Sequence, residues 1–191
     1  MIDTSSPRSA VAVLQDGKPV AEDVAWSGRE SDLPRRAARL VEPAELEAVV
    51  VALGPGSFTG LRVGVSYGLG LAMGLGIPLL GLGSLVLHSA RALEPCTALV
   101  EAGRGRLYWL DTDSGQIGHG EPEQLPRGRP AVGWLRQEVA AAVQAAGLRL
   151  LCDGQVRMFG EAASRLLERA ERLGYDTVRL QYMQSFELVR G

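Results

Sequence analysis

The chain contains few cysteines, few aromatic residues and almost no lysine. Its two cysteines, Cys96 and Cys152, do not make the disulfide framework of a small secreted protein, and we interpret both as small apolar residues. The formal net charge is −2, and the basic residues are scattered and nearly all arginine. Because a protein that holds nucleic acid by itself needs a concentrated basic face, we do not expect the isolated chain to bind tRNA or DNA directly.

The N-terminal residues also lack the basic segment and apolar core of a secretory signal, so a cytoplasmic location is expected. Residues 63–90 contain no Asp, Glu, Lys or Arg, and a stretch of this length is able to span a bilayer. Frequent glycine and the central Pro78 instead favour a buried helix followed by a buried strand. A membrane-associated protein is therefore the weaker alternative.

The remaining pattern alternates strands and helices in two rounds. A β-meander over residues 2–26, with a tight turn at Asp16-Gly17, opens the chain. The segments predicted after it are a helix at 31–41 with Ser31 as its N-cap, a strand at 46–53, a helix at 58–76, a strand at 77–82, a helix at 85–93, strands at 97–100 and 107–112, a helix at 134–146, a strand at 148–152, a helix at 156–173 and a strand at 177–180. This order predicts an α/β fold of two lobes, residues 1–95 and 96–191.

A glycine-rich turn joins the strand at 46–53 to the following helix. Its sequence is Gly-Pro-Gly-Ser-Phe-Thr-Gly over residues 54–60, and backbone N–H groups at a helix start favour anions. The residues of this candidate phosphate loop are Asp3, Thr4, Ser5, Gly54, Gly56 and Ser57. No Gly-Lys-Ser/Thr follows, which excludes a Walker loop, and a plain strand-to-helix turn stays an alternative.

The helix at 58–76 has a row of small residues at every fourth position, namely Gly60, Gly64, Gly68, Ala72 and Gly76. Gly70 and Gly74 form a second row. Each internal glycine costs about 1 kcal/mol of helix stability relative to alanine, so close approach of another backbone is expected as compensation. That backbone belongs either to the chain's own sheet or to a partner, and the partner is the favoured interpretation.

Two motifs give the sequence a specific resemblance. Ile-Asp-Thr-Ser at residues 2–5 and Gly-Pro-Gly-Ser-Phe-Thr-Gly-Leu-Arg-Val-Gly at residues 54–64 resemble the TsaB (YeaZ) family. The resemblance is strong up to about residue 95. It implies the two-lobed ASKHA fold, with mixed sheets flanked by helices, that actin, Hsp70 and sugar kinases share and that is related to RNase H.

The resemblance also implies a function. Proteins similar to TsaB act in bacterial synthesis of N6-threonylcarbamoyladenosine (t6A) at position 37 of tRNA, as the non-catalytic partner of the transferase TsaD and together with the ATPase TsaE. A heterodimer with a TsaD-like paralogue, a homodimer when alone, and contact with tRNA only through the complex are therefore expected. No membrane partner is expected.

The family's partner contact is a bundle of the first two helices of each chain. Here these helices are predicted at 31–41 and 58–76, and the residues assigned to the contact are Leu33, Ala37, Gly60, Leu61, Gly64, Val65, Gly68 and Ala72. An arginine at Gly64 or Gly68 is accordingly predicted to abolish co-purification with TsaD while leaving the chain folded.

Catalysis by the chain alone is not expected. The resemblance places residues 83–88 where the transferase has its His-x-x-x-His metal pair, and only His88 is present there. With no convergent ligand set, neither a metal site nor a peptidase is expected. Ser57 lacks a Gly-x-Ser-x-Gly elbow, which disfavours a serine hydrolase. No catalytic residue is assigned.

A small ATP-binding phosphotransferase of the same fold is the alternative from the enzyme class. Asp3 would hold Mg²⁺ through water, and Thr4 and Ser5 would donate to phosphate. Asp153-Gly154 is the nearest candidate for an adenosine-binding motif. No tightly bound cofactor is expected, and ATP with Mg²⁺ is expected to bind weakly or at an interface of the complex.

Overall fold

Three antiparallel strands begin the first sheet, in a computed structural model that describes residues 1–27, 32–41, 45–176 and 178. They are β1 (Ile2–Asp3), β2 (Arg8–Gln15) and β3 (Lys18–Trp26). Asp16 and Gly17 both have positive φ, 51° and 73°, as a two-residue hairpin turn with the right-handed twist of its strands requires. The predicted meander is confirmed.

Strands β4 (Val49–Ala52) and β5 (Leu79–Leu82) extend this sheet in parallel with β1. Along β4 the side chains alternate between two cores, with Val49 and Val51 in one and Val50 and Ala52 in the other. Such a strand is buried on both faces, which explains its continuous run of apolar residues.

Helices cover both faces of the first sheet. Helix α1 (Leu33–Ala38) and helix α2 (Phe58–Leu75) lie on one face, where Leu33 and Val65 join the core. Helix α3 (Ser84–Arg91) contributes Leu87 to the core on the other face. Asp32 caps α1 by accepting from the Arg35 backbone N–H, and the predicted cap Ser31 lies outside the described residues.

The second sheet has the strand order β8-β7-β6-β9. Its strands are β6 (Thr97–Gly103), β7 (Arg106–Asp111), β8 (Ile117–Gly120) and β9 (Ala131–Val132). Helix α4 (Gln137–Ala145) packs Val139 and Val143 against one face of this sheet, beside Leu99 and Leu107. The other face contacts α3 through Leu85, so α3 is shared between the two sheets.

The C-terminal part of the described chain returns to the first sheet. Helix α5 (Phe159–Ser164) packs on β2 and β3, and strand β10 (Glu171–Leu173) pairs antiparallel with β5. The first sheet therefore has the order β10-β5-β4-β1-β2-β3. The division into lobes 1–95 and 96–191 stays a prediction, and α5 and β10 lie on the first sheet although they follow residue 95.

Two predicted C-terminal elements are wrong. The helix predicted over 156–173 ends at Ser164, because a 3-10 turn at Leu167–Arg169 redirects the chain into β10. The strand predicted over 148–152 is a single parallel bridge between Leu150 and Ala131. The strand predicted over 177–180 lies outside the described residues except for Val178. No helix in the described ranges combines the length and hydropathy needed to cross a membrane.

Candidate functional site

A cleft of about 850 Å³ lies between the two sheets. The first sheet contributes the β1–β2 turn, the end of β3 and the start of α2, and the second contributes the β6–β7 region, β8 and the start of α4. The residues lining it are Ser5, Ser6, Pro7, Trp26, Ser27, Gly56, Ser57, Phe58, Glu101, Ala102, Gly103, Tyr108, His119 and Arg136. A cleft of this volume is large enough for a nucleoside-sized ligand.

Close packing of two loops forms the floor on the side of the first sheet. The Ser57 backbone N–H donates to the Ser5 carbonyl over 2.8 Å, which ties the start of α2 to the β1–β2 turn. A Cβ on Gly56 would stand 2.4 Å from that same carbonyl oxygen. Only glycine fits there, so the Gly-Pro-Gly-Ser turn is needed for this approach.

Only some residues of the candidate phosphate loop line the cleft. Ser5, Gly56 and Ser57 line the cleft, whereas Asp3, Thr4 and Gly54 do not. The Thr4 hydroxyl donates to the Gly60 carbonyl over 2.7 Å, and Ser57 Oγ caps α2 by accepting from the Gly60 N–H. Two of its hydroxyls therefore have partners in the chain itself, and a role in phosphate binding stays a prediction.

A buried polar cluster lies beneath this floor. Four of its atoms lack a hydrogen-bond partner within the described part of the chain, namely Asp3 Oδ2, Ser5 Oγ, Ser84 Oγ and His88 Nδ1. His88 Nε2 lies 3.0 Å from Ser6 Oγ, and the His88 ring meets Trp134 edge-on. Burial raises the pKa of Asp3, while burial and the nearby Arg91 lower the pKa of His88 to about 3.

His88 should make stability fall in acid. Its folded-state pKa of about 3 lies below the ordinary 6.5, so the unfolded chain binds its proton first as the pH drops. The contribution is complete above pH 6.5 and is lost progressively towards pH 3, by up to about 1.4 kcal/mol per pH unit. Urea unfolding between pH 7 and pH 4 should therefore show that the free energy of unfolding falls less in His88→Gln than in the wild type. The raised pKa of Asp3 acts in the opposite sense, but it is common to the wild type and the variant. Equal dependence of stability on pH in the two proteins would therefore contradict the low pKa of His88.

The wall on the side of the second sheet carries an ion pair and two rings. Glu101, only 6% exposed, accepts from the backbone N–H and the guanidinium of Arg136, with Arg136 Nε 2.8 Å from Oε2. The rings of Tyr108 and His119 stack with centroids 4.8 Å apart. Sequence reasoning missed these four side chains as cleft residues, because only the pairing of β6, β7 and β8 brings them together.

Two arginines and Trp134 form a cluster with Asp153 that connects β2 of the first sheet to the segment after β9 of the second. Asp153 accepts from Arg8 and, over 2.7 Å, from Arg91, and both guanidinium groups lie over the Trp134 ring. Partial burial alone would raise the pKa of Asp153, but hydrogen bonds from Arg8, Arg91 and Trp134 lower it to about 2. Asp153 therefore binds two arginines, and neither Asp153 nor Gly154, the candidate adenosine-binding motif, lines the cleft.

The row of small residues on α2 faces the chain's own sheet. A Cβ on Gly60 would stand 2.0 Å from the Thr4 carbonyl oxygen, and one on Gly64 would stand 2.2 Å from Thr4 Oγ1. A Cβ on Gly68 would stand 2.4 Å from Val51. The close backbone approach that the glycines predict is therefore real, but its partners are β1 and β4.

This geometry corrects the predicted partner interface. Of its eight residues, seven are buried inside the chain and Gly60 is half-buried against Thr4; the seven are Leu33, Ala37, Leu61, Gly64, Val65, Gly68 and Ala72. The large residues Leu61 and Val65 share the buried face with Gly64 and Gly68. None of the seven has surface to offer a second protein while the chain is folded.

The opposite face of α2 is open. Val63 is 49% and Met73 55% exposed, and Ser66, Gly70 and Gly74 are exposed between and beside them. Spacings of three and four residues place all five on one side of the helix. A Cβ on Gly70 or Gly74 would meet no atom within 4 Å. We call these five residues the open face of α2.

The known proteins to which this chain is similar in sequence include several named for tRNA threonylcarbamoyladenosine synthesis. Residues 37–122 match the model of the family described as TsaD, tRNA N6-adenosine threonylcarbamoyltransferase. The Escherichia coli tRNA threonylcarbamoyladenosine biosynthesis protein TsaB is 33% identical over 84 residues, which are 40% of this chain and 36% of that protein. The Bacillus subtilis protein of the same name is 31% identical over 119 residues, 56% of this chain and 51% of that protein. A Nitratidesulfovibrio vulgaris tRNA N6-adenosine threonylcarbamoyltransferase is 50% identical over 79 residues, 38% of this chain and 22% of that protein.

Among solved structures, YeaZ from Pseudomonas aeruginosa superimposes with a TM-score of 0.72 and 21% identity, over 95% of this chain and 97% of that one. That similarity confirms the predicted mixed α/β, ASKHA-like fold. By sequence, this chain spans about a third to a half of the length of the two TsaB proteins. Part of the chain is thus similar in sequence to TsaB proteins, and its fold is similar to that of YeaZ.

Proposed function

We propose that the chain is a non-catalytic subunit of the bacterial machinery that makes N6-threonylcarbamoyladenosine at position 37 of tRNA. The observation that carries the proposal is the sequence similarity to TsaB proteins together with an open apolar face on α2. In this proposal a TsaD-like paralogue occupies that face, a TsaE-like ATPase completes the complex, and tRNA is met only through the complex. A second copy of the chain occupies the face when the paralogue is absent, and the complex works in the cytoplasm.

The environment of His88 supports the non-catalytic assignment. Its side chain is 1% exposed, bonded to Ser6 and packed against Trp134. Within the described ranges, no three His, Cys, Asp or Glu side chains come together as a metal-binding group. In this proposal, chemistry on the threonylcarbamoyl group belongs to the paralogue, and the role of this chain is to bind the paralogue.

The open face of α2 suits a partner helix. Val63 and Met73 offer apolar side chains, and the neighbouring Gly70 and Gly74 allow a second helix to approach closely. The proposed contact still uses α2, the helix that the resemblance indicates. It lies on the side of α2 opposite to the residues that the sequence predicted for the contact.

Gly70→Arg should abolish co-purification with a TsaD-like partner without unfolding the chain. The new side chain meets no atom of its own protein and replaces a glycine inside a helix, a change that favours the helix by up to about 1 kcal/mol. Ala141→Arg, on the exposed side of α4, is the matched control and should retain the partner. Pull-down and thermal melting of both variants measure the two effects.

Equal recovery of the partner by Gly70→Arg and Ala141→Arg would remove α2 from the interface. The function itself is tested separately, by complementing a TsaB-depleted bacterium and measuring the tRNA modification by mass spectrometry. Restoration of the modified nucleoside by the wild-type chain is expected, and its failure would reject the proposed pathway even if the α2 contact is correct.

A phosphotransferase is the second candidate, because Ser5, Gly56 and Ser57 do line the cleft. That candidate requires the chain alone to bind Mg-ATP at micromolar concentration, which calorimetry measures directly. Weak binding, or binding only within the complex, agrees with the subunit proposal.

A further inference from the structure

The methionines of this chain differ in how far solvent reaches them. Met73, on α2, is 55% exposed, and Met158, the residue before α5, is 57% exposed. Met1 is partly buried against the core, and Met183 lies outside the described residues. Because the oxidation of sulfur follows its exposure, an oxidant in solution reaches Met73 and Met158 most easily among the described methionines.

Met73 differs from Met158 in its surroundings. It belongs to the open face of α2, directly before Gly74 and one turn after Gly70. Neither glycine has a side chain that could shield the thioether, and a Cβ at either position would meet no atom within 4 Å. Met158 lies off this face, beside the start of a helix that packs on β2 and β3. The two residues are therefore similarly exposed, but Met73 alone belongs to the proposed partner contact.

An oxidised Met73 would fit poorly into that contact. Oxidation converts the apolar thioether into a polar sulfoxide, whose oxygen accepts hydrogen bonds. Residues 63–90 contain no Asp, Glu, Lys or Arg, and among the five residues of the open face only Ser66 has a polar side chain. Ser66 precedes Met73 by seven residues, which is about 10 Å along a helix. The open face therefore offers the sulfoxide no donor within reach, and a docked partner would bury its oxygen at a cost.

We propose that Met73 is an oxidation site through which hydrogen peroxide weakens the partner contact of α2. A lone pair of the sulfur attacks one peroxide oxygen, so that the S–O bond forms while the O–O bond breaks and the second oxygen leaves as water. The sulfur loses the two electrons that the peroxide gains. A methionine sulfoxide reductase reverses the change, with two thiols becoming a disulfide and the oxygen leaving as water. This inference rests on the proposed contact between α2 and a TsaD-like partner.

The test treats the full chain with hydrogen peroxide and measures its affinity for the TsaD-like partner. Catalase removes the peroxide before the partner is added, and a thiol reverses oxidation of the exposed Cys152 to a sulfenic acid or disulfide. Peptide mass spectrometry follows the conversion of Met73 and Met158. The dissociation constant should rise about tenfold, the effect of one buried polar group left without a partner. Methionine sulfoxide reductase should restore the original affinity.

Two variants and one protection measurement isolate the residue. Met73→Leu keeps an apolar side chain and removes the sulfur, so it should bind the partner equally well before and after peroxide. Met158→Leu, the matched control, removes a similarly exposed methionine outside the open face and should stay as sensitive as the wild type. Adding the partner before the peroxide should slow the oxidation of Met73 and leave that of Met158 unchanged.

Failure of this inference is distinguishable from failure of the proposed contact. If the untreated chain does not bind the partner, the contact on α2 is wrong and the oxidation switch is rejected with it. If the untreated chain binds and full conversion of Met73 leaves the affinity unchanged, the switch alone is overturned. An equal loss of affinity in peroxide-treated Met73→Leu would also overturn it. If Met73→Leu itself binds poorly, the protection measurement on the wild type decides, and equal protection of Met73 and Met158 rejects the site.

Discussion

Gly64→Arg is expected to unfold the protein rather than to detach a partner from a folded chain. A Cβ at position 64 would stand 2.2 Å from Thr4 Oγ1, and the rest of the side chain would drive a charge into the contact between α2 and β1. Overpacking costs about 1–3 kcal/mol, and an unpaired buried charge adds several more. The sum approaches the whole stability of a typical domain, about 5–15 kcal/mol. Urea unfolding and the soluble yield measure the effect.

Gly70→Arg is the matched control, since it introduces the same side chain into the same helix six residues away. We expect it to melt at or above the wild-type temperature, because no atom lies within 4 Å of its Cβ. The comparison separates a folding defect from an interface defect. A Gly64→Arg protein that melts like Gly70→Arg would show that α2 does not pack on β1 as described, and the sequence-based prediction of a folded variant would then stand.

The two glycine rows show where sequence reasoning stops. Small residues at every fourth position predict that something approaches α2 closely, and the approach to Thr4 and Val51 confirms this. The spacing is the same whether the neighbour is a sheet or another protein, so it does not decide which row is internal. Gly70 and Gly64 are six residues apart, which is about 120° around a helix. Only the position of the sheet assigns Gly64 to the inside and Gly70 to the outside.

Local patterns predicted the first half of the fold well. The Asp16-Gly17 turn, the apolar run of β4 and the end of α2 at Gly76 each depend on neighbouring residues. The wall of the cleft on the side of the second sheet does not depend on residues that are neighbours in the sequence. Glu101 and Arg136 are 35 residues apart and meet only because α4 begins beside β6. The helical pattern over 156–173 also failed because of a long-range contact. Its last residues pair as β10 with β5 at the edge of the first sheet instead of continuing the helix.

Asp153→Asn is expected to lower the free energy of unfolding by about 2–3 kcal/mol, between the costs of breaking an exposed and a buried ion pair. The Arg91 side chain is 4% exposed and would keep its charge after losing its carboxylate partner. The Asp153 side chain is 54% exposed, which limits the loss. Since both arginines of the cluster lie over Trp134, the fluorescence of that ring should change together with stability.

Asp113→Asn provides the control, because Asp113 pairs with Arg129 on the surface and is 60% exposed. Its loss should change stability by no more than about 1 kcal/mol. Adding Arg91→Met to Asp153→Asn should recover part of the lost stability, since the double variant removes the more deeply buried of the two arginine charges that Asp153 had paired. Equal destabilisation by Asp153→Asn and Asp113→Asn, or strictly additive effects in the double variant, would mean that the two sheets are held together by apolar packing on α3 and that the Arg8–Asp153–Arg91 cluster contributes little.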